Sequence, residues 1–172
     1  MNFEQLAGER YSLRQFSPEP VEAEALARIL KAGRIAPTAA NRQPQRVLVV
    51  NDRAGMEKLA KCTKYTFGAP MALLVCYDAT KSWIRPFDGD NAGVVDASIA
   101  VTHMMLQAAD LGLGSTWVGY FDPAKVKAEF ALPEGYVPAA ILPLGHPGPG
   151  AAPHPRHFER LPAEEVVFYN RF

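Results

Sequence analysis

The sequence predicts an α+β domain, and three observations carry that reading. Apolar runs of strand length alternate with stretches whose apolar residues recur at helical spacing. One long stretch with few strongly polar side chains, Val94 to Leu111, reads as a central helix. A proline-rich C-terminal segment admits neither regular helix nor central strand. With 172 residues, 48% of them hydrophobic, the chain can bury a core yet is too short for two domains of ordinary size. One domain over 1–172 is expected, with an extended arm from about 146.

Asn2 can cap a first short helix running through Leu6, and the polar run Arg10 to Ser17 then reads as an extended segment or loop. Pro18 and Pro20 start a second helix whose Val21, Ala25, Leu26, Ile29 and Leu30 share a face, with Gly33 as its cap. Pro37 to Pro44 is a loop. Arg46–Val50 reads as a short buried strand, and a helix carrying Met56, Leu59 and Ala60 on one face follows it. A second strand is expected near Met71–Tyr77. Val94–Leu111 has few strongly polar residues, chiefly Asp96, His103, Gln107 and Asp110, so it reads as a helix buried nearly all round with His103 in the core. Gly112 and Gly114 end it. Trp117–Tyr120 restarts a strand, Pro123–Phe130 forms a helix, and Val137–Leu144 forms a fourth strand. From His146 to Pro162 the prolines at 147, 149, 153, 155 and 162 favour an extended arm, and Glu164–Tyr169 turns strand-like again. Such a segment is either a frayed terminus or an arm that reaches over a partner subunit and adds to its sheet.

Eighteen basic residues balance eighteen acidic ones, so no summed positive field exists to hold nucleic acid or an anionic membrane. No apolar stretch approaches the roughly 20 residues of a membrane helix, and Met1–Gln5 lacks the pattern of an export signal. Cys62 and Cys76 form neither a Cys-x-x-Cys pair nor a disulfide framework, which suits a reducing cytoplasm.

Two segments can carry chemistry. In an extended backbone, Arg10, Ser12 and Arg14 aim two guanidinium groups and a hydroxyl to one side. That comb is either a solvated strand face or a grip for phosphate or an electron-rich ring edge. Pro37-Thr38-Ala39-Ala40-Asn41-Arg42-Gln43-Pro44 carries two carboxamides among small residues. It is either a connection in which Asn41 and Gln43 bond their own turn, or a loop reading a flat heterocycle with an imide edge. His154 and His157 have the spacing of a metal pair but no Cys or clustered carboxylate beside them, so no metal site is expected. Lys58, Lys61 and Lys64 read foremost as a solvated helix face, though they could attract the phosphates of a nicotinamide dinucleotide. No Gly-x-Gly-x-x-Gly turn or Gly-x-Ser-x-Gly elbow is present.

Taken in order, these segments resemble the nitroreductase family of FMN-dependent dimeric oxidoreductases over nearly the whole chain. Arg10-x-Ser12-x-Arg14 followed by Phe16 resembles its phosphate motif, and Ala36-Pro37-Thr38-Ala39-Ala40-Asn41-x-Gln43-Pro44 its second flavin loop. Asp96–Ala100 leading to Leu111–Trp117 resembles its central helix and the turn behind the flavin, Leu144–Pro147 its last core strand, and Arg160–Val167 its closing segment. Gln45 departs from the pattern, which has an aromatic residue after the Gln-Pro pair.

The resemblance implies a central mixed, mainly antiparallel sheet flanked by helices, and a homodimer that exchanges its C-terminal strand and holds two FMN at the interface. It implies that Arg10, Ser12 and Arg160 hold the FMN phosphate and ribityl chain, with Arg14 near the pyrimidine edge. Pro37, Thr38, Ala39, Asn41 and Gln43 would reach the same flavin from the other subunit, and Trp117, Val118 and Gly119 would lie along it. The expected activity passes hydride equivalents from NADH or NADPH to a small electrophilic acceptor such as a nitro compound, quinone or enone. Other flavin chemistry such as dehalogenation, or a flavin-holding or redox-sensing dimer, is the alternative. Because the cofactor carries such chemistry, no dedicated catalytic side chain is required. The long inserted helices that cover the substrate site in larger members are absent from this sequence.

Overall fold

The computed structural model describes residues 2–172. Helix α1 (Phe3–Glu9) starts where the Asn2 side chain accepts the Gln5 N–H at 2.8 Å, and it runs one turn beyond the expected end at Leu6. Helix α2 (Ala23–Ile35) begins past both prolines and continues through Gly33. Gly33 is therefore not a cap. It lies where α2 packs on the central helix, α4 (Gly93–Asp110), and a Cβ there would come within 2.8 Å of Met104 Cγ and Sδ. Helix α3 (Arg53–Cys62) is capped by Asp52, which accepts from Gly55 N at 2.6 Å. Asp122 caps α5 (Pro123–Glu129) by accepting from Ala124 N and Lys125 N at 3.0 and 3.1 Å.

The sheet contains β1 (Gln45–Val50), β2 (Met71–Asp78), β3 (Gly114–Ser115) and β4 (Tyr136–Gly145) in the order β1-β2-β4-β3, every neighbouring pair antiparallel. A single parallel bridge from Ser12 to Ser115 gives the sheet its mixed character. The third strand thus precedes the expected Trp117–Tyr120 run. Of that run only Val118 keeps a bridge, exchanging hydrogen bonds of 2.9 and 3.0 Å with Ile141. Between these points Thr116 N still reaches Pro143 O of β4 at 3.3 Å, while the Thr116 hydroxyl donates to Leu13 O.

Both sheet faces are covered. Alternation along β2 sends Met71, Leu73 and Val75 toward α2 and α4, where they pack with Ile29, Ala97, Val101, Met104 and Leu142. Ala72, Leu74 and Cys76 face the other way and pack with Leu59 of α3, Val126 of α5, Val118 and Ile141. Burial on both faces explains why β2 reads as a continuous apolar run rather than an alternation.

Several expectations are corrected. Helix α4 is not buried all round: Val94 and Val95 are 47% and 55% exposed, and with Ser98, Ile99, Thr102 and His103 they line an open groove. His103 is half-buried on that face, its Nδ1 2.9 Å from Ile99 O one turn back, and is not a core residue. In the tail, Ala163–Val166 forms one helical turn, α6, in place of the expected strand. Glu164 and Glu165 favour a helix N-terminus, and a strand has no sheet edge to pair with there. Nor does the arm stand clear from 146. Ser17 N donates to His146 O at 2.9 Å, Gly148 N to Gln15 O at 2.9 Å, and Gln15 Nε2 to Pro149 O at 2.6 Å. Beyond it, Phe158, Leu161, Val166, Val167, Tyr169 and Phe172 are all exposed. Among the described residues, no helix is long and apolar enough to cross a membrane.

Candidate functional site

The Arg10–Arg14 segment is pinned beside β3. Leu13 N donates to Ser115 O at 3.0 Å, and the Leu13 side chain, 1% exposed, presses on Gly114. A Cβ at 114 would lie 2.1 Å from Leu13 Cδ2, so this contact admits only glycine. With Leu13 turned inward, Ser12 and Arg14 flank it on the outer side and line a cavity of about 450 Å³ together with Tyr11, His154, Arg156 and His157. Arg10 lines a smaller neighbouring cavity of about 190 Å³ with Tyr11, Ala109, Leu113 and Ser115.

Arg10 Nε is buried and has no hydrogen-bond partner. Burial lowers the pKa of this guanidinium below its ordinary value, and the nearby positive charge of Arg160 lowers it further. Arg160 Nη1 donates to His157 O and Glu159 O at 2.5 and 2.6 Å. Among the described residues neither arginine forms a salt bridge. Two like charges held together, one with a buried and unmet N–H, constitute a site that an anion stabilises. The donor set therefore fits a phosphate group such as that of FMN.

The second segment is a strained loop. Ala40, Asn41 and Gln43 all have left-handed backbones, with φ of 48°, 52° and 50°. Such conformers cost on the order of 1–3 kcal/mol each, less for Asn, and persist where surrounding bonds impose them. Here Asn41 N donates to Thr38 O and Gln43 N to Thr38 Oγ1, both at 3.0 Å, and Ala39 N donates to Asp96 Oδ1 at 2.8 Å. The exposed Pro37, Asn41 and Gln43 sit on the loop's outer side, with Thr38 and Ala39 half-buried. Gln45 opens β1 with its Oε1 buried and unpartnered.

The third segment lies at the edge of the sheet. Val118 is buried by its bridge to Ile141, Trp117 is 38% exposed, and Gly119 admits the Trp117 ring within 2.9 Å of where a Cβ would stand. Thr63 Oγ1 donates to Tyr120 O at 2.6 Å, which sets the end of α3 beside this segment. The three lysines there do not act as one stripe. Lys61 is ion-paired with Glu129 at 3.0 Å, whereas Lys64 Nζ lies 5.3 and 5.8 Å from the Tyr65 and Tyr120 ring centres.

Helix α4 sets the spacing of these pieces. Its Asp96 holds the 38–43 loop, while its Ala109 lines the Arg10 cavity. Thirteen residues at about 1.5 Å each separate them, about 20 Å along the axis. The loop and the arginine pair thus stand at opposite ends of the central helix of one chain.

Some residues of the site lay outside the sequence reading. His157 Nε2 donates to Gly8 O at 3.1 Å and meets the Tyr11 ring edge-on, which docks the tail over α1. His154 Nδ1 accepts from Arg156 N at 3.2 Å, so both histidines serve the local structure. Asp96 had a visible signal, as an acid in the apolar first half of a helix, but its partner did not.

Similarity to known proteins identifies the family and the fold. The model of the nitroreductase family matches residues 7–67 and 63–146. A nitroreductase family protein from Clostridium difficile 630 superposes with a TM-score of 0.95 at 44% identity, covering 100% of both chains. An FMN-dependent nitroreductase from Clostridium difficile R20291 gives a TM-score of 0.79 at 26% identity, over 97% of this chain and 98% of that one. An FMN reductase (NAD(P)H) of Bacillus subtilis is 30% identical over 173 residues, 90% of this chain and 68% of that protein. The chain belongs to the nitroreductase family.

Proposed function

We propose that this chain is an FMN-dependent NAD(P)H oxidoreductase that works as a homodimer, with one flavin at each of two sites between the subunits. The observation that carries the reading is the unmet, half-buried Arg10 with the positive charge of Arg160 nearby, a donor set suited to an anion, one helix length from the loop that would read the flavin ring. In a single chain the two lie about 20 Å apart along α4, so an antiparallel copy is the simplest way to bring a second 37–43 loop to the first chain's arginines. The open apolar groove on α4 and the exposed apolar tail both support burial against a copy.

In this reading Arg10, Ser12 and Arg160 hold the phosphate and ribityl chain. Arg14, exposed on the same segment, serves the pyrimidine edge, where a guanidinium stabilises negative charge. Pro37, Thr38, Ala39, Asn41 and Gln43 approach from the second copy, and Trp117, Val118 and Gly119 close one side. Bound FMN supplies two-electron transfer between a reduced nicotinamide and the acceptor. The chain's own task is to bind, orient and exclude water. The acceptor is a small electrophile such as a nitro compound, quinone or enone, and the setting is cytoplasmic. We also read residues 1–172 as one flavin-binding domain whose tail crosses to the partner.

The test is anaerobic. Purified protein saturated with FMN should be yellow, should be bleached by NADH or NADPH, and should regain its colour on addition of one of a panel of quinones, nitroaromatics and enones. Protein that takes up no FMN, or a yellow protein that neither nicotinamide bleaches, contradicts the proposal.

A further inference from the structure

We infer that Asp96 is the positioning residue of the flavin loop, holding residues 38–43 in their binding conformation from the far side of the loop. This rests on the reading above that the loop meets FMN. Asp96 lies in the apolar first half of α4 and is only 2% exposed. A carboxylate is an expensive side chain to place there, since burial of a charge is unfavourable unless it is paired or hydrogen-bonded. Its hydrogen bond within the chain goes to Ala39 N, 57 residues away in sequence, at 2.8 Å. Its second oxygen, Oδ2, is buried without a partner.

The position of the bond explains its use. Ala39 is the first residue of the turn that carries the left-handed Ala40 and Asn41, and Asn41 N and Gln43 N both bond to Thr38 while Arg42 N bonds to Ala39 O at 3.1 Å. Those three fix the loop on itself, and Arg46 Nη1 of β1, donating to Gln43 O at 3.0 Å, holds only its far end. The Asp96 bond ties the loop's first turn to the central helix, whose Ala97, Ala100, Val101 and Met104 are fully buried. Without that tie the strained loop is free to relax to ordinary backbone conformations, and binding must then supply the ordering. One oxygen suffices for the tie, so an amide at 96 can replace the acid.

Double-mutant analysis of FMN binding tests this. Asp96→Ala should weaken FMN binding by about ten- to a hundredfold, the effect of removing a hydrogen bond to a charged group. Asp96→Asn, which keeps the accepting oxygen, should remain within about threefold of the wild type. Ala39→Pro removes the N–H at the first position of the turn, where proline is tolerated, and should weaken binding comparably. The two losses should not add in Asp96→Ala/Ala39→Pro, because both delete one bond. Melting temperatures give the second readout: the gap between FMN-saturated and FMN-free protein should shrink in Asp96→Ala and be restored in Asp96→Asn. Additive losses in the double variant, or an Asp96→Ala protein that binds FMN like the wild type, overturn the inference. So does an equal fall of both melting temperatures, which marks a purely structural aspartate. If Asp96→Ala does not fold, Ala39→Pro and Asp96→Asn decide alone: a normal Ala39→Pro or an impaired Asp96→Asn overturns it. Wild-type protein that fails to bind FMN brings down the oxidoreductase reading, and this inference with it.

Discussion

At the scale of single residues, Arg10 concentrates the electrostatic content of the site. Its unmet Nε and the second positive charge nearby are unfavourable in the free chain and favourable once an anion arrives. Arg10→Ala and Arg160→Ala should each remove a charge-assisted contact of about 1.5 to 3 kcal/mol, so FMN affinity measured by fluorescence quenching should fall by roughly ten- to a hundredfold. The two buried thiols make a different prediction. Burial pushes Cys76 up to about 11, from an ordinary value near 9, and also raises Cys62. A thiol that is harder to ionise when folded stabilises the native state below about pH 9, and that contribution disappears as pH rises toward 11. Urea midpoints should therefore fall less over that range in Cys76→Ala than in the wild type. That Ser12 and Arg14 line one cavity was legible in the sequence because alternation depends on neighbouring residues only, whereas Arg10 enters the adjoining cavity and not theirs. Asp96 with Ala39 and His157 with Gly8 were not, because those partners lie 57 and 149 residues apart.

At the scale of elements, the contact between β3 and the arginine segment couples stability to function. Gly114→Ala would drive a methyl group into Leu13 Cβ and Cγ, at 2.7 and 2.9 Å, and the base of a side chain cannot swing away as its tip can. The expected cost is about 1–3 kcal/mol in chemical denaturation, accompanied by weaker FMN binding, because the displaced strand carries Arg10 and Ser12. Gly33→Ala on α2 meets Met104 Cγ and Sδ at 2.8 Å in the buried core and should also destabilise the fold, with unchanged FMN affinity. Helices α1 to α5 and the strands β1, β2 and β4 were legible because caps and apolar runs are local signals, whereas the single turn α6 was read as a strand. The two-residue β3 was not, since so short a strand exists only through β4 and Leu13. The exposed face of α4 misled for a related reason: residues apolar enough for a core are also what an interface needs, and periodicity does not separate the two.

At the scale of the whole molecule, the groove on α4 and the apolar tail leave apolar surface exposed on the single chain, which the proposed dimer would cover. A charge placed in the groove, Val95→Glu, should leave the monomer's fold intact while shifting the sedimentation coefficient toward the monomer and weakening flavin binding, since it buries an unpaired carboxylate in the assembled form. Removing the residues after His157 should likewise weaken flavin binding, because Arg160 goes with them. The most direct measurement is sedimentation velocity of FMN-saturated protein, followed at once by protein and by flavin absorbance. The flavin should travel with a species of about twice the 18.8 kDa chain mass, at one flavin per chain. Flavin travelling with an 18.8 kDa monomer, or remaining unbound beside the protein, would contradict an interface-bound cofactor.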